Sequence, residues 1–168
     1  MRVYNVRFVA EHGNPSYHPG CAASVFCGTD KLGTLGQVHP SIAENYGLHD
    51  VFTAELDFTS LLEHRADERV YVPLPRYPSI MRDIAVVCDI SVSASELSDC
   101  ILRSGGALLR HAKPFDVYTG SQVPDGKKSI AFSLTLRSED QTLTDEHADN
   151  VIKNILSALF SELNAIIR

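Results

Sequence analysis

The sequence lacks any apolar run that approaches the roughly 20 residues a membrane-spanning helix needs. Residues 1–7 also lack the basic, apolar and small-residue order of a secretory signal peptide. The 168 residues include 44% hydrophobic and 21% charged residues, which is ordinary for a globular protein that buries a core. We therefore expect one or two small domains in the cytoplasm, with no membrane among the partners.

Cysteine is scarce, and none of the four cysteines has the Cys-x-x-Cys spacing. Reduced thiols in a cytosolic protein are the interpretation that this pattern favours. His18 and Cys21 come nearest to a pair of zinc ligands, but no second pair has the short spacing that zinc sites use. We predict no metal site, while a cysteine–histidine hydrolase or a metalloprotein in the first segment stays open as an alternative.

Motifs for catalysis are also missing. The sequence contains no glycine-rich phosphate loop, no Gly-x-Ser-x-Gly turn and no His-Glu-x-x-His helix. We predict that the chain has no catalytic residues and no cofactor of its own.

Positive charge is in deficit, with 15 Lys and Arg against 21 Asp and Glu. Residues 1–76 hold 6 basic and 9 acidic residues, and residues 77–168 hold 9 and 12, so each part carries −3. A protein that binds nucleic acid mainly through phosphates is expected to be basic. Any RNA binding is therefore expected to use a few stacked bases and hydrogen bonds.

Two segments are predicted, joined by a linker at residues 64–76. Pro73 and Pro75 bias the residues before them to extended conformations, which excludes a helix there. In the first segment, residues 1–63, strand patterns occupy 4–10, 22–27, 31–39 and 51–58, with a short helix at 40–46.

The second segment, residues 77–168, predicts the order β-α-β-β-α-β. Ser93 and Glu96 have the spacing of a capping box, and the helix they open ends at Gly105-Gly106. The predicted strands are 83–90, an irregular 108–118 interrupted at Pro114, a strictly alternating 129–137, and a short edge strand at 164–168; the last helix begins near Thr142 or Thr144. This order predicts an α+β fold, a ferredoxin-like split βαβ with two helices on one face of an antiparallel sheet.

Three motifs carry a family resemblance: Tyr-Pro-Ser-Ile-Met-Arg-Asp at 77–83, Phe-Asp-Val-Tyr-Thr-Gly at 115–120, and the strand 127–137 running on to Gln-Thr-Leu-Thr-Asp-Glu at 141–146. In this order and separation they resemble the ferredoxin-like anticodon-binding domain that ends the β subunit of bacterial phenylalanine–tRNA ligases. Residues 18–23 and 35–40 resemble the end of the catalytic-like α/β module that precedes this domain, although Cys21 stands where the family more often has Arg. The resemblance implies the C-terminal part of a larger subunit.

The resemblance implies anticodon recognition by a chain that makes no bond itself. The parent enzyme would use ATP and Mg²⁺, with catalysis on the α subunit of an (αβ)₂ tetramer and the anticodon of tRNA(Phe) as the partner of this chain. The family's anticodon contacts map onto Asp116 and Tyr118, and Ser129 is implied to face the anticodon too. On the residues alone, Tyr118 reads as a half-buried strand residue. Arg137 would pair a phosphate or be solvated, and Arg82 would contact the RNA backbone or lock the strand entry.

A second class of function fits the same fold. Free-standing ferredoxin-like domains serve as protein-interaction or small-molecule sensor modules, and the acidic charge favours this alternative. The sheet face opposite the helices discriminates between the two, because an apolar face would indicate protein pairing and a Ser, Thr and Arg face with Tyr118 nearby suits RNA.

Overall fold

The computed structural model describes residues 2–66, 71 and 73–168, in two compact units that comprise residues 1–72 and 73–168. Part of the linker predicted at 64–76, namely residues 67–70 and 72, lies outside the described residues, so that assignment stays a prediction. Within the described part of the chain, no helix is long and apolar enough to cross a membrane.

The first unit is an antiparallel sheet of four strands in the order β1-β2-β3-β4 with two short helices. The strands are β1 (Val6–Ala10), β2 (Tyr17–Cys27), β3 (Asp30–Val38) and β4 (Phe52–Leu56), and the helices are α1 (Pro40–Asn45) and α2 (Phe58–Glu63). All four predicted strands and the first helix are confirmed. Helix α2 was not predicted. It begins where the Asp57 side chain accepts a hydrogen bond from the Ser60 N–H at 2.6 Å, and this cap ends the strand predicted at 51–58 before residue 58.

The second unit has the element order predicted from the sequence. Its elements are β5 (Ile80–Asp89), α3 (Ala94–Ser104), β6 (Leu109–Tyr118), β7 (Lys127–Leu136), α4 (Asp145–Leu163) and β8 (Ile166–Ile167). The strands form an antiparallel sheet in the order β6-β7-β5-β8, with β6 and β8 at its edges. The ferredoxin-like fold is confirmed.

The hydrophobic core of this unit lies between the two helices and one face of the sheet. Alternate residues of β7 that point into it, including Phe132, Leu134 and Leu136, are completely buried. Helix α3 contributes Leu97 and Ile101, and α4 contributes a stripe that ends at Leu159. Since the even-numbered side chains of β7 fill this core, its odd-numbered side chains are left on the opposite face of the sheet.

Both helices of the second unit begin with a capping box. The Ser93 hydroxyl accepts from the Glu96 N–H at 3.1 Å, and the Glu96 carboxylate accepts from the Ser93 N–H at 2.8 Å, as predicted. Thr144 and His147 make the corresponding pair at α4. Each box satisfies two N–H groups of the first turn that have no partner within the helix.

Replacement of Ser93 by Ala is expected to lower the free energy of unfolding by about 1 kcal/mol at neutral pH, because the Glu96 N–H loses its partner. Urea denaturation measures the change. Ser95→Ala, in the same exposed turn, is the matched control and is expected to leave stability unchanged or slightly raised. Equal losses from both variants would contradict a capping role.

The same box predicts a pH dependence. Hydrogen bonds from the Ser93 backbone N–H, and then from its hydroxyl, hold the pKa of Glu96 below its ordinary value. The carboxylate therefore contributes stability above its unfolded pKa and loses it as the pH falls through the lower folded pKa. The stability difference between wild type and Glu96→Gln is expected to be largest near neutrality and to vanish in strong acid, and urea midpoints from pH 7 to pH 2 measure it. A difference that grows toward acid would contradict this sign.

Candidate RNA-binding face

The sheet face away from α3 and α4, here called the open face, is formed by the odd-numbered side chains of β7 and by the residues paired with them. Ser133 lies between Asp83 of β5 and Lys113 of β6 on this face. Thr135, one alternation further along β7, is half-buried. The helices of this unit pack on the other side of the sheet.

A β-bulge in β6 decides which residues of the 115–120 motif reach the open face. Pro114 pairs with Phe132 and Asp116 with Ala131, so Phe115 is an extra residue without a counterpart in β7. The irregularity predicted near Pro114 is confirmed. The extra residue shifts the alternation by one, which places Asp116 and Tyr118 on the open face.

The Tyr118 side chain of this face has neighbours on more than one side. Its ring lies close to Gly120, where an added Cβ would come within 2.2 Å of the phenol oxygen. The guanidinium of Arg168 lies over the ring, with its carbon 5.2 Å from the ring centroid. Arg168 also donates a hydrogen bond to the side-chain oxygen of Gln122. The ring is therefore held in one place, as a stacking platform requires.

Ser129 is on the predicted face but is buried. It pairs with Tyr118 on one side and Val87 on the other, and only 3% of its surface is exposed. An amphipathic strand would also allow Ser129 to be an ordinary solvent-facing residue, and its burial excludes that alternative. Its contact with RNA stays a prediction.

Arg137 and Arg82 lie apart from Tyr118 and Ser129. Arg137 follows β7 eight residues after Ser129, so about 27 Å of strand separates it from Tyr118, although the alternation keeps it on the open face. Arg82 pairs with Leu134 of the core and bonds to Asp145 at the start of α4, so it lies on the helix side of the sheet. This placement supports the structural alternative for Arg82.

The charge of the open face differs from that of the unit as a whole. Asp83, Asp89 and Asp116 are its acidic residues. Its basic residues are Lys113, Lys127, Arg137 and Arg168. The excess of acidic residues in 77–168 therefore lies elsewhere on the unit. The net negative charge of the unit is not an argument against RNA binding by this face.

Two titratable groups at or beneath this face have shifted pKa values. Hydrogen bonds from the hydroxyl and backbone N–H of Ser91 lower the pKa of Asp89, which pairs across the sheet with Lys127. Burial raises the pKa of the Cys88 thiol, which lies in the core. The face offers charged side chains, a phenol and hydroxyls for recognition.

In the first unit, His18, which was considered for a metal, and the nearby His12 take part in local backbone contacts. His12 Nδ1 lies 2.8 Å from the carbonyl oxygen of Pro19, and the Gly20 N–H donates to His18 Nδ1 at 3.1 Å. Among residues 2–66, 71 and 73–168, no three His, Cys, Asp or Glu side chains are grouped to hold a metal ion. All four cysteines are free thiols, and Cys21 is exposed.

Comparison with known proteins matches both units. Residues 75–168 match the profile of the ferredoxin-fold anticodon binding domain, and residues 1–58 match that of the phenylalanyl tRNA synthetase beta chain CLM domain. The chain belongs to the ferredoxin-fold anticodon-binding domain family. The first match covers more than half of the chain, and it contains every predicted RNA-binding residue.

Relatives of this chain include three proteins named phenylalanine–tRNA ligase beta subunit. The protein from Clostridium acetobutylicum is 39% identical over 169 residues, which cover 100% of this chain and 21% of the relative. Those from Halalkalibacterium halodurans and Bacillus subtilis are 42% and 38% identical, covering 92% and 90% of this chain and 19% of each relative. The chain spans about a fifth of the length of these relatives.

Sequence reasoning missed three residues of the anticodon-binding domain that fix Tyr118. Gly120 and Gln122 lie two and four positions after Tyr118, and the motif 115–120 included the glycine without assigning it a role. Arg168 lies 50 positions later and meets Tyr118 only because β8 pairs with β5. No local pattern could have indicated that contact, since it depends on the strand order of the sheet.

Gly120→Ala is expected to displace the Tyr118 ring while the anticodon-binding domain stays folded. The added methyl would overlap the tip of a side chain that can rotate, so the free energy of unfolding should change by less than about 1 kcal/mol. NMR signals of the Tyr118 ring measure the displacement, and urea denaturation measures the stability. Ser121→Ala is the control, and ring signals that match wild type in Gly120→Ala would contradict the close approach.

Proposed function

We propose that this chain recognises the anticodon of a tRNA as part of the β subunit of a phenylalanine–tRNA ligase. The observation that carries the proposal is the joint placement of Asp116 and Tyr118 on the open face of an anticodon-binding domain. The β-bulge at Phe115 produces this placement. The relatives named phenylalanine–tRNA ligase beta subunit support the assignment of the parent enzyme.

In the proposed mode, an unpaired anticodon base stacks on the Tyr118 ring. Aromatic stacking is the commonest way proteins hold single-stranded RNA bases, and it requires no net positive charge. The carboxylate of Asp116, exposed in the adjacent row, accepts a hydrogen bond from an N–H at the base edge. Ser129 and Arg137 would add a hydroxyl contact and a phosphate contact, the latter to a different nucleotide because of its distance.

Arg82 is left out of the proposed contact surface. Its guanidinium bonds to Asp145 on the helix side of the sheet. The role we assign to Arg82 is to tie the start of β5 to the start of α4, which stabilises the unit instead of holding RNA.

We propose that the chain acts by positioning the tRNA. Binding the anticodon helps to orient the rest of the tRNA toward an active site that the proposal places on the α subunit, where ATP and Mg²⁺ would serve the attachment of phenylalanine. An (αβ)₂ assembly in the cytoplasm is part of the same proposal. The first unit, with its match to the CLM domain, would serve as scaffold and subunit interface.

The alternative of a protein-interaction or sensor module gains no support from the open face. Ser133 lies between Asp83 and Lys113 there, and this polar row interrupts any extended apolar patch for protein pairing. The family matches likewise support the anticodon-binding function and not this alternative.

Tyr118→Ala is expected to weaken binding to an RNA stem-loop that carries the anticodon of a phenylalanine tRNA by roughly 5- to 150-fold, the equivalent of about 1–3 kcal/mol of stacking. Fluorescence anisotropy at low salt measures the dissociation constant. Tyr118→Phe keeps the ring and is expected to bind within a few-fold of wild type. Phe160→Ala removes an exposed aromatic ring from α4 and serves as the matched control.

A scrambled anticodon in the same stem-loop tests whether the bases are read. The proposal expects the scrambled loop to bind as weakly as the correct loop binds to Tyr118→Ala, and it expects Arg82→Gln to bind the correct loop like wild type. Equal affinity of Tyr118→Ala and wild type for the correct loop would refute the stacking role.

A further inference from the structure

Tyr118 and Arg168 meet although they belong to opposite edges of the sheet. Tyr118 ends edge strand β6, and Arg168 directly follows edge strand β8. Three strand spacings of about 4.8 Å separate these edges. The guanidinium carbon nonetheless lies 5.2 Å from the centre of the Tyr118 ring. The two side chains therefore reach toward each other across the open face, an arrangement here called the Tyr118–Arg168 clasp.

Several contacts hold the arginine side of the clasp. The Arg168 backbone N–H donates to the carbonyl oxygen of Ala85 at 2.9 Å, which continues the β5–β8 pairing by one residue. Its guanidinium donates to the side-chain oxygen of Gln122, in the segment that follows β6. Arg168 is thus tied to both edges of the sheet, unlike an arginine that is free in solvent.

The row of side chains that contains Ser129 begins at the clasp residue Tyr118. In that row, Tyr118 pairs with Ser129, Ser129 with Val87, and Val87 with Ile166. Ser129 and Val87 are only 3% and 6% exposed, although no helix covers this face. Ser133 and Thr135, on the same face of β7 but beyond the clasp, are half-buried. Ser129, the cross-strand neighbour of Tyr118, is therefore shielded from a nucleotide in the free protein.

We propose that Arg168 occupies the stacking surface of Tyr118 in the free protein and that an anticodon base displaces it. A cation–π contact at an exposed site is weaker than stacking of a base on an aromatic ring, so the exchange favours the RNA. Displacement opens the row above Ser129 to a hydroxyl contact. The released guanidinium then pairs with a phosphate of the bound nucleotide, as arginine does in RNA recognition. This inference rests on the proposed function, since it concerns the same site.

NMR titration of the full chain with the anticodon stem-loop tests the exchange directly. Side-chain protons of Arg168 that lie over an aromatic ring resonate upfield, and they are expected to do so in free wild type but not in Tyr118→Leu. Addition of the stem-loop is expected to shift them back toward the values of an unstacked arginine. Arg168 signals that stay upfield while the Tyr118 ring signals report bound RNA would overturn the displacement.

The salt dependence of binding tests the phosphate contact. Loss of one phosphate contact to a single strand lowers the slope of log K against log salt by about 0.7. Arg168→Gln is expected to lose this amount and Arg168→Lys to retain it, because lysine keeps the charge. Arg103→Gln on α3 removes an exposed arginine that pairs with Glu162, and it is expected to leave the slope unchanged. A slope for Arg168→Gln equal to wild type would overturn the phosphate contact.

The outcomes separate the inference from the proposed function. If Tyr118→Ala weakens binding while Arg168 neither moves nor changes the slope, the clasp is only structural and anticodon binding stands. If the stem-loop perturbs no signal of the open face at millimolar concentrations, both the anticodon proposal and the exchange at Arg168 are overturned for this chain. Thermal unfolding of each variant confirms that a lost contact is not a lost fold.

Discussion

The alternation of side chains along β7 is the constraint on which the second unit depends. Because Phe132, Leu134 and Leu136 fill the core against both helices, the odd-numbered residues of β7 lie on the opposite face of the sheet. Each residue of β5 or β6 that pairs with β7 lies on the same face of the sheet as its partner. Within the motif 115–120, the extra residue Phe115 shifts the alternation of β6 by one position. This shift brings Asp116 and Tyr118 to the face that the helices leave open.

The separation of the two sheet faces also explains how an acidic domain can present a face suited to RNA. Acidic residues are concentrated on the helices and loops, where Asp145 and Glu146 favour the positive end of α4 and Glu96 completes a cap. The open face itself has slightly more basic than acidic side chains. Net charge is a property of the whole unit, and it says little about a recognition surface that relies on stacking and a few hydrogen bonds.

The sequence predicted elements best where local chemistry decides them. The capping box at Ser93, the bulge near Pro114 and the alternation along β7 all depend on residues within a few positions, and the structure has each of them. Helix α2 was missed because one Asp57 cap overrides the strand pattern that precedes it. The face of Arg82 was left undecided, since only the register with Leu134 and the contact with Asp145 settle it.

The burial of Ser129 shows the limit of reading a site from strand parity. Parity places its side chain correctly, but exposure depends on what crosses above it, and Tyr118 and Arg168 come from strands at opposite edges. A residue can thus belong to a recognition surface and still be inaccessible in the free protein. If Ser129 contacts RNA, the groups that bury it have to move. The free energy for that movement comes from exchanging one planar group on Tyr118 for another.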